Sequence, residues 1–343
     1  MSLKINLSEY KYFTVVLFFV IILLLPVSNS VFSQSTEIEE PIKIGLTNWS
    51  PSSLLYIAEE KGFFEKNNVN VKLVLKSDYS QLVDGYYYGD YDGIIAVFAD
   101  ILFLESQGVD SKVVYVVDIS ETADVIIGKG NNLSETKGNK IGVEQIHSFS
   151  HLFVLNALEK VGLEESDLEF VSVAAQNVTQ MIDDGGIFAG HTYEPYTSQA
   201  LESDYNILFT AGDIPGIITD TLTFDSDLIE QRPQEIEAIV KSFVESLEYY
   251  NNYKDDALQI MASNIGISKQ EVDNAMKSVK LVSLNENKLL LGNQSQYSSF
   301  YNIGNKISKW LVESGQISEF QNINELVELK FINELLMEKI DKK

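Results

Sequence analysis

The sequence predicts an α/β fold of parallel sheets with helices on both faces. Strand-like and helix-like patterns alternate along the chain, which is how parallel sheets with crossover helices are built. The 343 residues suffice for two lobes or domains. A hydrophobic content of 45% sustains a folded core rather than a disordered chain. The net charge of −25, from 50 acidic against 25 basic residues, argues against a nucleic-acid partner, because phosphate is repelled. It reads more simply as solubility or adaptation to salty surroundings. Cysteine is absent, so disulfides, thiolate metal sites, a cysteine nucleophile and a cysteine-borne lipid anchor are all excluded.

Lys4 and Lys11 precede the apolar run Phe13–Leu25, and Pro26, Ser28, Ser30 and Ser33 follow. A charged start, a short apolar core and small residues predict a secretory signal over residues 1–34, cleaved or kept as a single N-terminal anchor. The protein is then expected outside the cell or in the periplasm. Gln34–Pro41 reads as a polar linker. Export makes the sequons at Asn132 and Asn293 glycan sites by pattern.

The elements follow in order. Ile42–Leu46 is a buried strand running into a loop. Ser50 is placed as the N-cap of a helix with Pro51 at its first position, Leu54, Ile57 and Ala58 on one face, and Gly62 just past its end. Strand Val69–Leu75, helix Gln81–Tyr88, strand Gly93–Phe98, helix Ile101–Gln107 and strand Val113–Val117 come next. After Val125–Gly128 the helix carrying Leu152, Leu155, Leu158 and Val161 stands between two further strands. Thr179–Asp183 is helical, and Ile187–Gly190 and Asn206–Thr210 are strands. From Pro233 the chain reads as helices: Gln234–Tyr250, one opened by a capping box of Ser268 and Glu271, Tyr297–Glu313 before Gly315, and a tail from Phe331. No glycine-rich phosphate fingerprint, Walker pattern, repeat or low-complexity stretch occurs.

The stretch GLTNWSPSSLLYIAEEKGFFEKNNVNVKLV, from Gly45, resembles the opening of the nitrate/sulfonate/taurine and thiamine-precursor solute-binding proteins of ABC importers. Those chains begin with a strand, a ligand loop and A-x-x-x-G-[FY]-F-E-K. YYYGDYDGIIAVFAD resembles their L-x-x-G-x-x-D and the buried strand after it. The segment from Asn132 to Val173 resembles their second half-unit, and HTYEPYTSQAL resembles their w-E-P element. The resemblance covers Ile42 to Trp310. It implies a two-lobed type II periplasmic-binding-protein fold with a ligand cleft between lobes and extra C-terminal helices on the first lobe. Lobe I takes residues 42–119 plus 218–343 and lobe II residues 120–217, with crossings near Asp118–Ser120 and Ile218–Asp220. Implied with it are a small-molecule ligand, ABC importer permease subunits as partners, no cofactor, a monomer, and membrane contact only through the N-terminal segment or the permease.

By the resemblance, the loops that face the cleft carry Trp49, Ser52, Ser53, Asp78, Asp100, Asp118, Ser120, Glu121, Asp124, Glu144, Ser148, Phe149, Tyr193 and Glu194. Several have a purely structural alternative, although Asp118, Ser120, Glu121 and Asp124 cluster at the crossing in a number that caps and turns do not account for. Trp49 fits a hydrophobic staple on Leu54, Ser52 and Ser53 fit helix caps, and Asp78 fits an Asx turn. Asp100 fits a cap of Ile101–Gln107 better than a ligand contact. Glu144, His147 and His151 could suggest a metal, but no H-E-x-x-H pattern exists and the histidines read more simply as loop and helix-face residues. Anion receptors favour arginine, yet the single arginine, Arg232, falls outside the proposed cleft and its loops carry no lysine. Their carboxylates point to a neutral or cationic, nitrogen-containing ligand stacked on Trp49 and a tyrosine. The alternatives are an enzyme of the same fold acting on a small heterocycle, a receptor for sulfonate, taurine or nitrate, and the sensing domain of a signalling protein.

Overall fold

A computed structural model describes residues 40–292 and 300–341. The expected N-terminal signal, most of the linker, the Asn293 sequon and the start of the helix expected from Tyr297 lie outside the described residues. All described elements belong to one unit, Glu40–Lys343, and among them no helix is long and apolar enough to cross a membrane.

Two sheets form. The first has strand order β11-β4-β10-β3-β1-β2 and the second β7-β6-β8-β5-β9. The strands are β1 Ile42–Thr47, β2 Val71–Lys76, β3 Gly93–Val97, β4 Ser111–Ser120, β5 Val125–Gly128, β6 Lys140–Val143, β7 Glu169–Ser172, β8 Ala189–Thr192, β9 Asn206–Thr210, β10 Thr219–Asp225 and β11 Val279–Leu281. The chain leaves the first sheet at the end of β4 and returns to it with β10. The fold is α/β, of the type II periplasmic-binding kind.

The sheets are mixed, which corrects the expectation of wholly parallel ones. β1 runs parallel to β2 and β3, and β6 parallel to β7 and β8, because helices carry the chain back between them. β10 arrives from the other sheet without such a helix and pairs antiparallel with β3 and β4, as β5 does with β8 and β9.

The β4–β10 pairing is irregular where it matters. Asp118 stands opposite Asp220 and Val116 opposite Thr221, which leaves Val117 unmatched. Such a bulge leaves backbone groups without ladder partners. Buried Asn287 supplies them, its Oδ1 accepting from Val116 N at 2.6 Å and its Nδ2 donating to Val116 O at 2.9 Å.

The helix starts follow local chemistry. Asp78 accepts from Ser80 N and Gln81 N, so its helix opens early, at Tyr79–Tyr87. Ser268 and Glu271 form the expected capping box. Ser50 makes no side-chain cap bond; the chain turns through Pro51–Ser53 into helix Leu54–Glu60. Asp100 is not a cap but sits in the first turn of Phe98–Ser106, which Val97 precedes. Strand β8 begins two residues later than its apolar run suggests. The tail forms helix Lys330–Asp341.

The C-terminal helices pack on the first sheet's side. Pro233–Asn252 lies on Leu54–Glu60 and Phe63–Lys66, with Asn67 Nδ2 donating to Ser242 Oγ at 2.9 Å. The core runs through both sheets, with Tyr115, Phe98, Phe153, Phe224 and Phe243 fully enclosed. On the far face of the second sheet Val125 and Ile127 join a smaller cluster with Val178 and Tyr205, while Ile126 points to the main core. That is the alternation a strand requires.

Candidate functional site

A cavity opens where β1 and β3 end and β10 begins. Thr47, Trp49, Ser52, Tyr79, Ile95, Val97, Asp124, Phe149, Tyr193, Ile218 and Asp220 line it. The carboxyl ends of strands in α/β sheets are where crevices form. About 360 Å³ is empty there. The walls are aromatic: Trp49 meets Tyr193 edge-on at 6.0 Å, and Tyr79 meets Phe149 at 4.9 Å. No lysine or arginine lines it.

Trp49 is no staple. Its Nε1 donates to Asp118 Oδ2 at 3.3 Å, and its backbone N donates to Thr47 Oγ1. Asp118 is fully buried and its Oδ1 has no partner. Burial, relieved in part by the Trp49 bond and reinforced by the charge of Asp124, lifts its carboxyl to about 8. Asp220, opposite on β10, is pushed well above the usual carboxylate range by burial and then by Asp118, Asp124 and Asp100.

Asp124 is set by the turn before it, where Ser120 Oγ accepts from Asp124 N at 3.1 Å. Its Oδ1 lies 3.1 Å from His191 Nε2, and His191 Nδ1 lies 2.8 Å from Ser150 Oγ. Glu144 Oε1 accepts from Tyr193 Oη at 3.1 Å, while Oε2 is buried without a partner. Burial lifts Glu144 to about 8 despite the Tyr193 bond, with help from neighbouring carboxylates.

Asp100 ties the two sheets' elements together. Its Oδ1 accepts from Phe149 N and its Oδ2 from Tyr79 Oη, both at 2.9 Å. These donors offset only part of the burial that raises it to about 7. The N-terminus of helix Phe149–Lys160 is thereby already occupied by a carboxylate of the protein.

Of the residues expected at the cleft, Trp49, Ser52, Asp124, Phe149 and Tyr193 line it, and Asp118, Asp100 and Glu144 bond to residues that do. Ser53 caps backwards onto Ser50 O, Asp78 is spent on its helix, and Ser120 serves Asp124. Ser148 donates to Gln145 O and lines a neighbouring pocket beside Glu144 and Asp100. Glu121 is exposed away from the cavity. Glu194 is turned to Ser198, accepting from its N at 3.2 Å and its Oγ at 2.9 Å. Arg232 is engaged with Glu235. His151 Nδ1 accepts from His147 N, and among the described residues no group of three metal-ligating side chains gathers.

Sequence reasoning passed over Tyr79, Thr47, Asp220 and His191 as cleft residues. Only Asp220 left a signal, as an acid in the returning strand. The Ser150–His191–Asp124 chain has the members of a hydrolytic triad, but Ser150 is fully buried, already accepts from Glu144 N, and does not line the cavity. It is not placed to attack anything bound there.

The NMT1-like family matches residues 35–266 of this chain. The chain belongs to the NMT1-like family. Among solved structures, this NMT1-like chain is similar to the periplasmic aliphatic sulphonate binding protein SsuA from Escherichia coli, at 16% identity and a TM-score of 0.66, over 84% of this chain and 92% of that one. It is also similar to a ligand-binding component of an ABC-type import system from Staphylococcus aureus with zinc bound, at 16% identity and 0.70, over 86% and 99%. The desulfurization enzyme DszB shares the fold too, at 14% identity and 0.64, over 88% and 99%. A comparison with curated proteins finds no match. At these identities the likeness is one of fold.

Proposed function

We propose that this chain is an exported solute receptor that delivers a cationic or N–H-rich small molecule to an ABC importer. In this reading residues 1–34 direct export or anchor the chain. Residues 42–119 with 218–343 form one lobe, residues 120–217 the other, and the protein works as a monomer that closes on its solute and docks on the permease. Family membership and the fold of the import-system proteins support the receptor half.

One observation carries the ligand class: Asp124 and Asp220 face the cavity, with Asp118, Asp100 and Glu144 close behind, and no basic side chain lines it. A cation would favour the ionised forms that burial alone disfavours, whereas an anion would push these carboxyls further toward protonation. Of the two helix starts an anion could use, at Ser52 and Ser148, the second is partly taken, since Asp100 holds the N–H of Phe149. An ammonium or amino-heterocycle instead supplies the missing donors and sits against Trp49 and Tyr193.

A thermal-shift and calorimetry screen tests this reading. It sets 1,4-diaminobutane, choline and 4-aminopyrimidine against taurine, nitrate and alkanesulfonates. At least one nitrogen compound is expected to stabilise the chain, and Asp124→Asn and Asp220→Asn are expected to weaken it about tenfold or more, as for a lost charge-assisted hydrogen bond. Stabilisation by a sulfonate alone, undiminished in both variants, overturns the ligand class.

A further inference from the structure

His191 is fully buried, and both of its ring nitrogens are engaged. Phe149, Phe153 and Tyr193 enclose the ring at centroid distances of 5.5, 5.1 and 6.1 Å. On one side is Ser150 Oγ, which accepts from the backbone N of Glu144 at 2.9 Å. On the other is Asp124, whose Oδ2 receives no hydrogen bond among the described residues and whose side chain lines the cavity.

These bonds run in one direction. Ser150 Oγ keeps a second lone pair and its proton after Glu144 N donates to it, so Asp124 at the other end of the ring sets the direction, with the hydroxyl proton turned to His191 Nδ1. Nδ1 is then the acceptor, and Nε2 carries the ring proton and donates to Asp124 Oδ1. The opposite tautomer would set a bare Nε2 lone pair against a carboxylate oxygen at 3.1 Å.

We propose that His191 is a positioning residue of the cleft: held as its Nε2–H tautomer between Ser150 and Asp124, it fixes the Asp124 carboxylate so that Oδ1 is kept by the protein and Oδ2 is offered to a bound solute. This rests on the reading of the cavity as a site for a cationic or N–H-rich solute. It gives Asp124 a part that Asp220 does not share. Asp220 lines the same cavity with no donor among the described residues behind it, opposite a second acid on the next strand. Asp124 is the fixed acceptor, and the Asp118–Asp220 pair is the part of the wall that adjusts. A polar buried chain of this kind loses its function when one link is cut, because the remaining groups reorient.

Two measurements test the proposal. In the full chain at about pH 8, above the ordinary histidine range, long-range nitrogen–proton NMR should show His191 as the Nε2–H tautomer. Ser150→Ala should lower that preference. For the solute, 1,4-diaminobutane and 4-aminopyrimidine are titrated into the parent chain, His191→Phe and His191→Gln. His191→Phe removes the donor and should weaken binding about tenfold. His191→Gln can still present an N–H to Asp124 and should recover most of it. An Nδ1–H tautomer in the parent chain, or equal affinity in His191→Phe and the parent, overturns the proposal. If neither amine binds the parent chain, that failure falls on the cleft reading, and the tautomer measurement decides the role of His191.

Discussion

Asp118 and Asp220 face each other across two adjacent strands, both buried, with no cation between them. Like charges directly opposite are destabilising, and burial favours their protonated forms. Glu144 and Asp100 are shifted the same way, to about 8 and about 7. An unfolded chain titrates such groups near 4. Between those values the folded chain holds more protons, so its stability is greatest at low pH within this range and falls as pH rises through 7 and 8. The melting temperature of the ligand-free chain should therefore decline from about pH 5 to about pH 8.5, with each group contributing at most about 1.4 kcal/mol per pH unit. Asp118→Asn and Glu144→Gln, which cannot ionise, should flatten that decline; an unchanged slope in both would contradict the assignment. The same residues show what the chain's letters reveal and what they hide. Asp118 and Asp124 could be picked out because they bracket the departure from the first sheet. Asp220 showed only as an acid in the returning strand, because its meaning lies in its register with Asp118, and register depends on a bulge at Val117. Glu121 and Glu194 share the chemistry of their neighbours but point elsewhere, a matter of side-chain direction that composition does not carry.

At the level of elements, β5 and β9 are legible to the residue, since short apolar runs bounded by polar turns leave little choice. Helix ends are less so where an unexpected cap intervenes, as Asp78 does before Tyr79. That helix reaches the cleft because it docks closely on β1. A Cβ added to Gly85 would come within 2.4 Å of Tyr91 Oη, and one added to Gly45 within 2.7 Å of the same ring. Tyr91 is thus clamped between helix and strand, its hydroxyl buried without a partner. Gly85→Ala should destabilise the protein by about 1–3 kcal/mol through overpacking. Tyr91→Phe should be near neutral, since it removes an unsatisfied group, and should recover part of the loss when combined with Gly85→Ala. Urea unfolding of the three variants checks this, and additivity of the two changes would show that Tyr91 is not the obstacle.

For the molecule as a whole, polar contacts join the elements of the two sheets at several points, among them Gln199 Nε2 donating to Glu271 Oε1 at 2.9 Å. Asp100 receives Phe149 N, and Asn48 Nδ2 donates to Tyr196 Oη at 3.1 Å. Removing the carboxylate leaves Phe149 N and Tyr79 Oη short of an acceptor, at about 1–3 kcal/mol for each group left buried and unpaired. Asp100→Ala should shift the chain toward a more open arrangement, seen as a larger radius of gyration in small-angle scattering without ligand. A scattering profile identical to the parent's would show that this contact does not hold the two sides together. The two crossings, by which β4 and β10 carry the chain between sheets, were foreseeable only through resemblance, and the antiparallel pairing of β10 was not foreseen. Alternation alone suggests one parallel sheet as readily as two mixed ones.

The bond from Trp49 to Asp118 has an optical side. The chain has two indoles. One forms the wall of the cavity with its N–H on a carboxylate. The other, Trp310, is half-buried beside His151, 6.1 Å away in helix Phe300–Glu313. With Trp310 exchanged for phenylalanine, every photon of indole emission originates at the wall of the cavity proposed to take the solute. Occupancy of the cleft then becomes a colour change of the protein itself, readable in a cuvette with no dye attached.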